Sequence, residues 1–135
     1  MNDRYLYRAK RTDNGEWVTG SHVYTITEDK DCYCAGIYKE NHWIVEENGN
    51  MVAVDPSTIC QCTGLKKFYE NDIVERTDIH PVGVPSIGII EYDIENTAFV
   101  IHWIDKPKYS PMYTWKDKIK VIGNSFDNPE LLEVR

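Results

Sequence analysis

The stretch "CQCTGLKKFYENDIVE", residues 60–75, carries the reading on which the fold depends. Two cysteines one residue apart give way to Thr63-Gly64, then to an Asn71-Asp72 turn, then to Ile73 and Val74 at the head of a strand. A strand sends alternate side chains to the same face, so Cys60 and Cys62 share a side. A second such pair, Cys32 and Cys34, lies upstream. Four thiolates around a tetrahedral zinc are one reading of these residues. The spacing is poor for it. Two strand rises separate the sulfurs by about 7 Å, whereas Zn–S bonds of about 2.3 Å require about 4 Å between them. Small, apolar thiols filling a core suit the pattern better. No metal and no cofactor is therefore expected, with the four cysteines kept as the alternative metal site.

Outward from this stretch the pattern is strand and turn. "RYLYRAKR" alternates, with Tyr5, Tyr7 and Ala9 on one side. Asn14-Gly15 and Asn48-Gly49 are hairpin turns, because both residue types accept positive φ. "DPST", 55–58, predicts a turn or a single helical turn, with Asp55 accepting from downstream amides. "SIGIIEYD" and "TAFVIHW" form a further hairpin, and Phe99, Ile101 and Trp103 share its core face. The histidines of His42-Trp43 and His102-Trp103 are expected on the solvent side, opposite core tryptophans. "DKPKYSPMYTW", 105–115, reads as irregular, and "KIKVIGN" as the last strand. "DNPELL" begins a helix, with Asp127 or Asn128 as cap and Pro129 in the first turn. Short strands at hairpin spacing make the chain all-β, with short antiparallel hairpins and one short C-terminal helix.

The 135 residues suffice for one domain or two small lobes. Apolar runs are far shorter than the roughly 20 residues that span a bilayer, and the start has no apolar core of a signal peptide. The expected location is the cytoplasm, where thiols stay reduced. The net charge of −7 argues against a generic duplex-DNA binder. Yet the acidity is uneven. "KPKYSPMYTWKDKIK" interleaves Lys106, Lys108, Lys116 and Lys118 with Tyr109, Tyr113 and Trp115. Lysines beside stacking aromatics are how single-stranded nucleic acid is gripped, so this segment is the candidate nucleic-acid site. The carboxylates Glu70 and Asp72, or Glu91, Asp93 and Glu95, are the candidates for a metal-dependent enzyme. Their alternation is that of solvated strand residues. No P-loop, dinucleotide fingerprint or nucleophile elbow is present.

The order Gln61, Thr63, Gly64, Leu65, then Phe68, Tyr69, Glu70, Asn71, Asp72, Ile73, Val74 resembles the YopX-like family of phage and prophage proteins, in which Q-x-T-G-L precedes I-Y-E-G-D-I-V. "YRAKRTDNGEWVTG", "GIIEYD" and "KVIGNSFDNPELL", with Gly123, Asn124 and Pro129, are similar to its opening and closing motifs. Asn71 stands where the family has glycine, so positive φ is expected there, which Asn tolerates best among the other residues. The resemblance implies an SH3-like barrel or roll in the C-terminal half; with a boundary expected near residues 62–65, the chain reads as an N-terminal β lobe over 1–62 and a barrel lobe over 63–135, or as one continuous domain. It also implies a homo-oligomer. The family supplies no catalytic residues to carry over. The expected function is that of a non-enzymatic phage or prophage protein in the host cytoplasm, acting through contacts with itself or with a host or phage protein. A single-stranded nucleic-acid accessory protein is the first alternative and a metal-dependent enzyme the second.

Overall fold

The computed structural model describes residues 6–28, 38–65, 68–77, 86–104 and 108–133. They are mostly strand, in two antiparallel sheets. The chain divides into two compact units, Tyr5–Cys60 and Gln61–Arg135.

In the first unit, β1 (Tyr7–Lys10), β2 (Trp17–Glu28), β3 (Tyr38–Val45), β4 (Met51–Ala53) and β5 (Cys60–Gln61) lie in the order β4-β3-β2-β1-β5. Both Asn-Gly pairs turn as the sequence predicts. Gly15 and Gly49 have φ of 73° and 90°, and each preceding asparagine accepts the amide two residues on, at 2.9 Å and 3.0 Å. "DPST" closes a 3-10 turn over Pro56–Thr58, with the Asp55 carboxylate accepting from the Ser57 amide. The Thr58 hydroxyl then accepts from the Lys10 amide, tying this turn to β1. Ala9, Ile44 and Val54 form the core, with Tyr7, Val18 and Ile59 packed against them. Alternation explains the set: Ala9 pairs with Val18 and Ile44 with Val52, so all face one side.

The register also sets a limit. Among the described residues β1 pairs with β2 as far as Gly20 and β4 with β3 as far as Trp43, with the Val54 amide donating to His42 C=O just beyond. From there β2 and β3 continue together to the Glu28–Tyr38 pair. Among the described residues this outer portion is a two-stranded ribbon.

In the second unit, β6 (Asp72–Arg76), β7 (Ile87–Asp93), β8 (Ala98–Trp103), β9 (Lys108–Pro111) and β10 (Ile119–Asn124) lie in the order β10-β6-β7-β8-β9. Numbered within the unit, that is 5-1-2-3-4. A single helical turn, α1 (Met112–Trp115), joins the fourth strand to the fifth. Val74, Ile90, Ile101, Trp103, Met112, Ile119 and Phe68 are buried together, with Leu65, Phe99 and Trp115 at their margin. The Trp103 indole N–H is satisfied inside this core by the Ser110 hydroxyl at 2.8 Å. Phe99, Ile101 and Trp103 share the core face, as their spacing predicts.

Three local expectations differ from what forms. The "DNPELL" helix is one 3-10 turn, Pro129–Leu132. The Asn128 side chain does not cap it, because its Oδ1 accepts from the Asn124 amide instead. Part of the segment expected to be irregular is β9 and α1. Pairing with β8 extends β9, and burial of Met112 holds the turn that follows. His42 does not lie opposite a buried tryptophan. Ile44 takes the core face, so His42, two residues away, shares that face, while half-buried Trp43 turns to the other.

Candidate interaction surfaces

The residues that carry the family resemblance hold the backbone together around the turn into β6. Asn71 has φ 67°, in the left-handed region. Its N–H donates to Ile90 C=O at 2.8 Å, and its C=O accepts from Ser125 at 2.9 Å. Asp72 is not the solvated strand residue its alternation suggests: it is buried, because its carboxylate turns back to accept from the Tyr69 amide at 2.9 Å. The Glu70 carboxylate accepts from the Gln61 amide, while the Gln61 C=O accepts from the Glu70 amide. The Thr63 hydroxyl accepts from the Leu65 amide, and Gly64 supplies φ 81° between them. Downstream, Asn124 Oδ1 accepts from the amides of Phe126 and Asp127. A Cβ on Gly123 would press on the Asn128 side chain. Pro129 opens the final 3-10 turn. Every one of these contacts ends on backbone or on a turn. As an arrangement they fix chain direction.

Cys60 and Cys62 are buried thiols. The Cys60 thiol donates to Thr58 C=O at 3.3 Å. Cys32 and Cys34 lie outside the described residues, as does Lys106. Among the described residues, no group of three or more His, Cys, Asp or Glu side chains is placed to hold a metal ion. Nor, among them, is any helix long and apolar enough to cross a membrane.

The lysine- and aromatic-rich segment is spread along β9, α1 and the start of β10. Tyr109 and Tyr113 are exposed, the latter by 71%. Tyr109 stacks on His102 with centroids 4.5 Å apart, and Lys116 Nζ lies 4.5 Å over the Tyr113 ring. Trp115 belongs to the core margin. It meets Trp103 edge-on, and Arg76 and Lys118 lie over its face at 4.9 Å and 5.5 Å. Lys108 sits at the start of β9.

A different cluster lies on the ribbon of the first unit. Val23, Tyr24 and Ile26 are 38%, 57% and 58% exposed. Tyr24 and Ile26 lie on the face that carries the core farther along, while Val23 lies on the other. Beside them His22 Nε2 meets His42 Nδ1 at 2.9 Å, and His42 Nε2 meets Glu40 Oε2 at 3.2 Å. Burial, and then the neighbouring His42, hold the His22 imidazole below the usual histidine range. Sequence reading missed this group, because His22 and His42 are not spaced as any motif. Only the strand register brings them together.

No curated protein and no solved structure matches the chain. The family model described as YopX protein matches residues 6–133, spanning both units and the turn at Asn71-Asp72. The chain therefore belongs to the YopX protein family.

Proposed function

We propose that this YopX-family chain is a non-enzymatic protein of phage or prophage origin that works in the host cytoplasm through protein contacts, as a homo-oligomer. The observation that carries the reading is the exposure of Val23, Tyr24 and Ile26 on both faces of the two-stranded outer part of β2 and β3. An isolated two-stranded ribbon is marginal in water, and large apolar residues gathered on such an element mark a contact surface. The family residues are compatible with the same reading, since the hydrogen bonds described for them build turns. The 5-1-2-3-4 strand order of the second unit supports an SH3-like roll as its finer description. The test is mass measurement by light scattering at micromolar concentration. The expected result is an oligomer that Tyr24→Lys with Ile26→Lys converts to monomer; a strict monomer for the unaltered chain overturns it.

A second reading, contact with single-stranded nucleic acid along 108–118, is favoured by one observation. Tyr109 and Tyr113 present exposed rings amid lysines.

A further inference from the structure

The His22 and His42 rings lie within 12° of parallel, with centroids 5.2 Å apart. That separation is the N···N distance plus the two ring radii, so the rings meet edge to edge, along an N–H···N line. An ionised carboxylate can only accept, so Glu40 fixes the proton of neutral His42 on Nε2. His42 Nδ1 is then a lone pair, and His22 must donate to it from Nε2. One carboxylate thus sets the tautomers of both rings.

With one added proton, a single N–H still lies between the two facing nitrogens, and the bond survives. A second proton puts N–H on both facing nitrogens and two positive charges at hydrogen-bond distance. The bond is then lost. Among the described residues, the titratable groups facing the pair are Tyr7 from β1, Tyr24 from β2 and Glu40 from β3; β4 brings Val52. Among these described groups, Glu40 supplies the carboxylate in hydrogen-bond contact with the pair.

We propose that Glu40, His42 and His22 form a one-proton latch that clasps β2 to β3 at the root of the outer ribbon and lets the ribbon open on acidification. The link is diagonal: His22 stands opposite Ile44 in the ladder, and His42 opposite Tyr24. It therefore ties together two pairs of the ladder that flank the Val23–Trp43 pair, beyond the last described pair of β1 with β2 at Tyr7–Gly20. The sign is fixed by the direction of the His22 shift. A histidine held below its unfolded value binds fewer protons folded than unfolded. Its contribution is fully present above the unfolded value of about 6.5 and is lost as pH falls from there through the folded value. The latch is independent of whether the ribbon docks a second copy.

The test is a pH titration of the whole chain with 15N-labelled histidine, together with amide hydrogen exchange of residues 24–26 and 40–42 from pH 8 to pH 5. The expected result is two coupled steps that belong to the pair rather than to either ring. Ribbon exchange, corrected for its intrinsic pH dependence, should rise about tenfold or more, the equivalent of one pK unit of coupling. His22→Phe should keep the sheet, judged by the amide spectrum, and abolish the pH-dependent part of the rise. Glu40→Gln, whose amide can donate as well as accept, should change the 15N pattern of the His42 tautomers at pH 8. Independent, single-step titration of the two rings overturns the proposal, and so does ribbon exchange that ignores pH or keeps its pH dependence in His22→Phe.

Discussion

The Tyr69 amide donates to the buried carboxylate of Asp72, three residues on, across a turn whose apex is Asn71 in the left-handed conformation. The return bond runs from the Asp72 amide to Tyr69 C=O at 3.1 Å. Replacing Asp72 by Ala removes the acceptor of the Tyr69 amide inside a buried turn. The expected loss is about 1–3 kcal/mol, read as a lower midpoint in urea unfolding. An unchanged midpoint would mean that the carboxylate does not organise the turn.

Asn71 itself permits a paired test. At φ 67°, Asn71→Gly relieves a non-glycine residue of left-handed strain, whereas Asn71→Val forces a β-branched side chain into it. Asn71→Val should cost about 1–2 kcal/mol, with Asn71→Gly neutral or slightly stabilising. Thermal unfolding of the two variants side by side decides it, and equal stability of both would refute the conformational argument.

That turn was legible in the sequence because the information is local. Asn71-Asp72, Asn14-Gly15 and Asn48-Gly49 each specify a backbone shape within a few residues, and the alternation of Phe99, Ile101 and Trp103 specifies a buried face. What could not be read depends on register. The His22–His42 contact joins residues twenty apart and exists only because His22 stands opposite Ile44 and His42 opposite Tyr24. The same register places Ile44 rather than Trp43 in the core, although the tryptophan is the larger apolar side chain. Likewise, Pro107 and Pro111 look like punctuation of a loop. Yet β9 forms, because a proline at the end of an edge strand forfeits only a bond that the strand does not need.

Gly20 sits where β2 passes the backbone of Val45, and a Cβ there would collide with the Val45 C=O and press on the Ile44 side chain. Backbone cannot rotate aside as a side chain can. Gly20→Ala is therefore expected to cost about 1–3 kcal/mol or more by prising β3 from β2. Gly15→Ala, which meets nothing within 4 Å, should cost only its conformational strain. Chemical denaturation of both variants tests the contrast, and an equal or reversed order would count against the packing.

The 3-10 turn at Pro56–Thr58 should respond to acid. The Ser57 hydroxyl, and then the Ser57 amide, donate to the Asp55 carboxylate and hold it below the usual carboxylate value. A carboxyl depressed in the folded state contributes stability above its unfolded value of about 3.9 and loses it as pH falls through the folded value. Because Asp55 is exposed, the effect should be local. The amides of residues 57–59 should shift below about pH 4 while the rest of the sheet holds. In Asp55→Ala that step should vanish, and its persistence would assign the titration to another group.

Binding of an oligonucleotide separates the two functional readings. Tyr113 is the most exposed aromatic of the 108–118 segment, and Lys116 lies over its ring while Lys118 lies over Trp115. A base stacked on Tyr113 would contribute about 1–3 kcal/mol, so Tyr113→Ala should weaken binding by roughly fivefold to 150-fold. Each phosphate held by a lysine should add about −0.7 to the slope of log K against log salt, so Lys116→Glu with Lys118→Glu should flatten that slope as well as weaken binding. Fluorescence anisotropy with a labelled single strand at low salt measures both. The net charge of −7 opposes such binding unless the lysine segment acts locally. A chain that binds no oligonucleotide at low salt, while Tyr24→Lys with Ile26→Lys dissociates its oligomer, acts through the ribbon of the first unit.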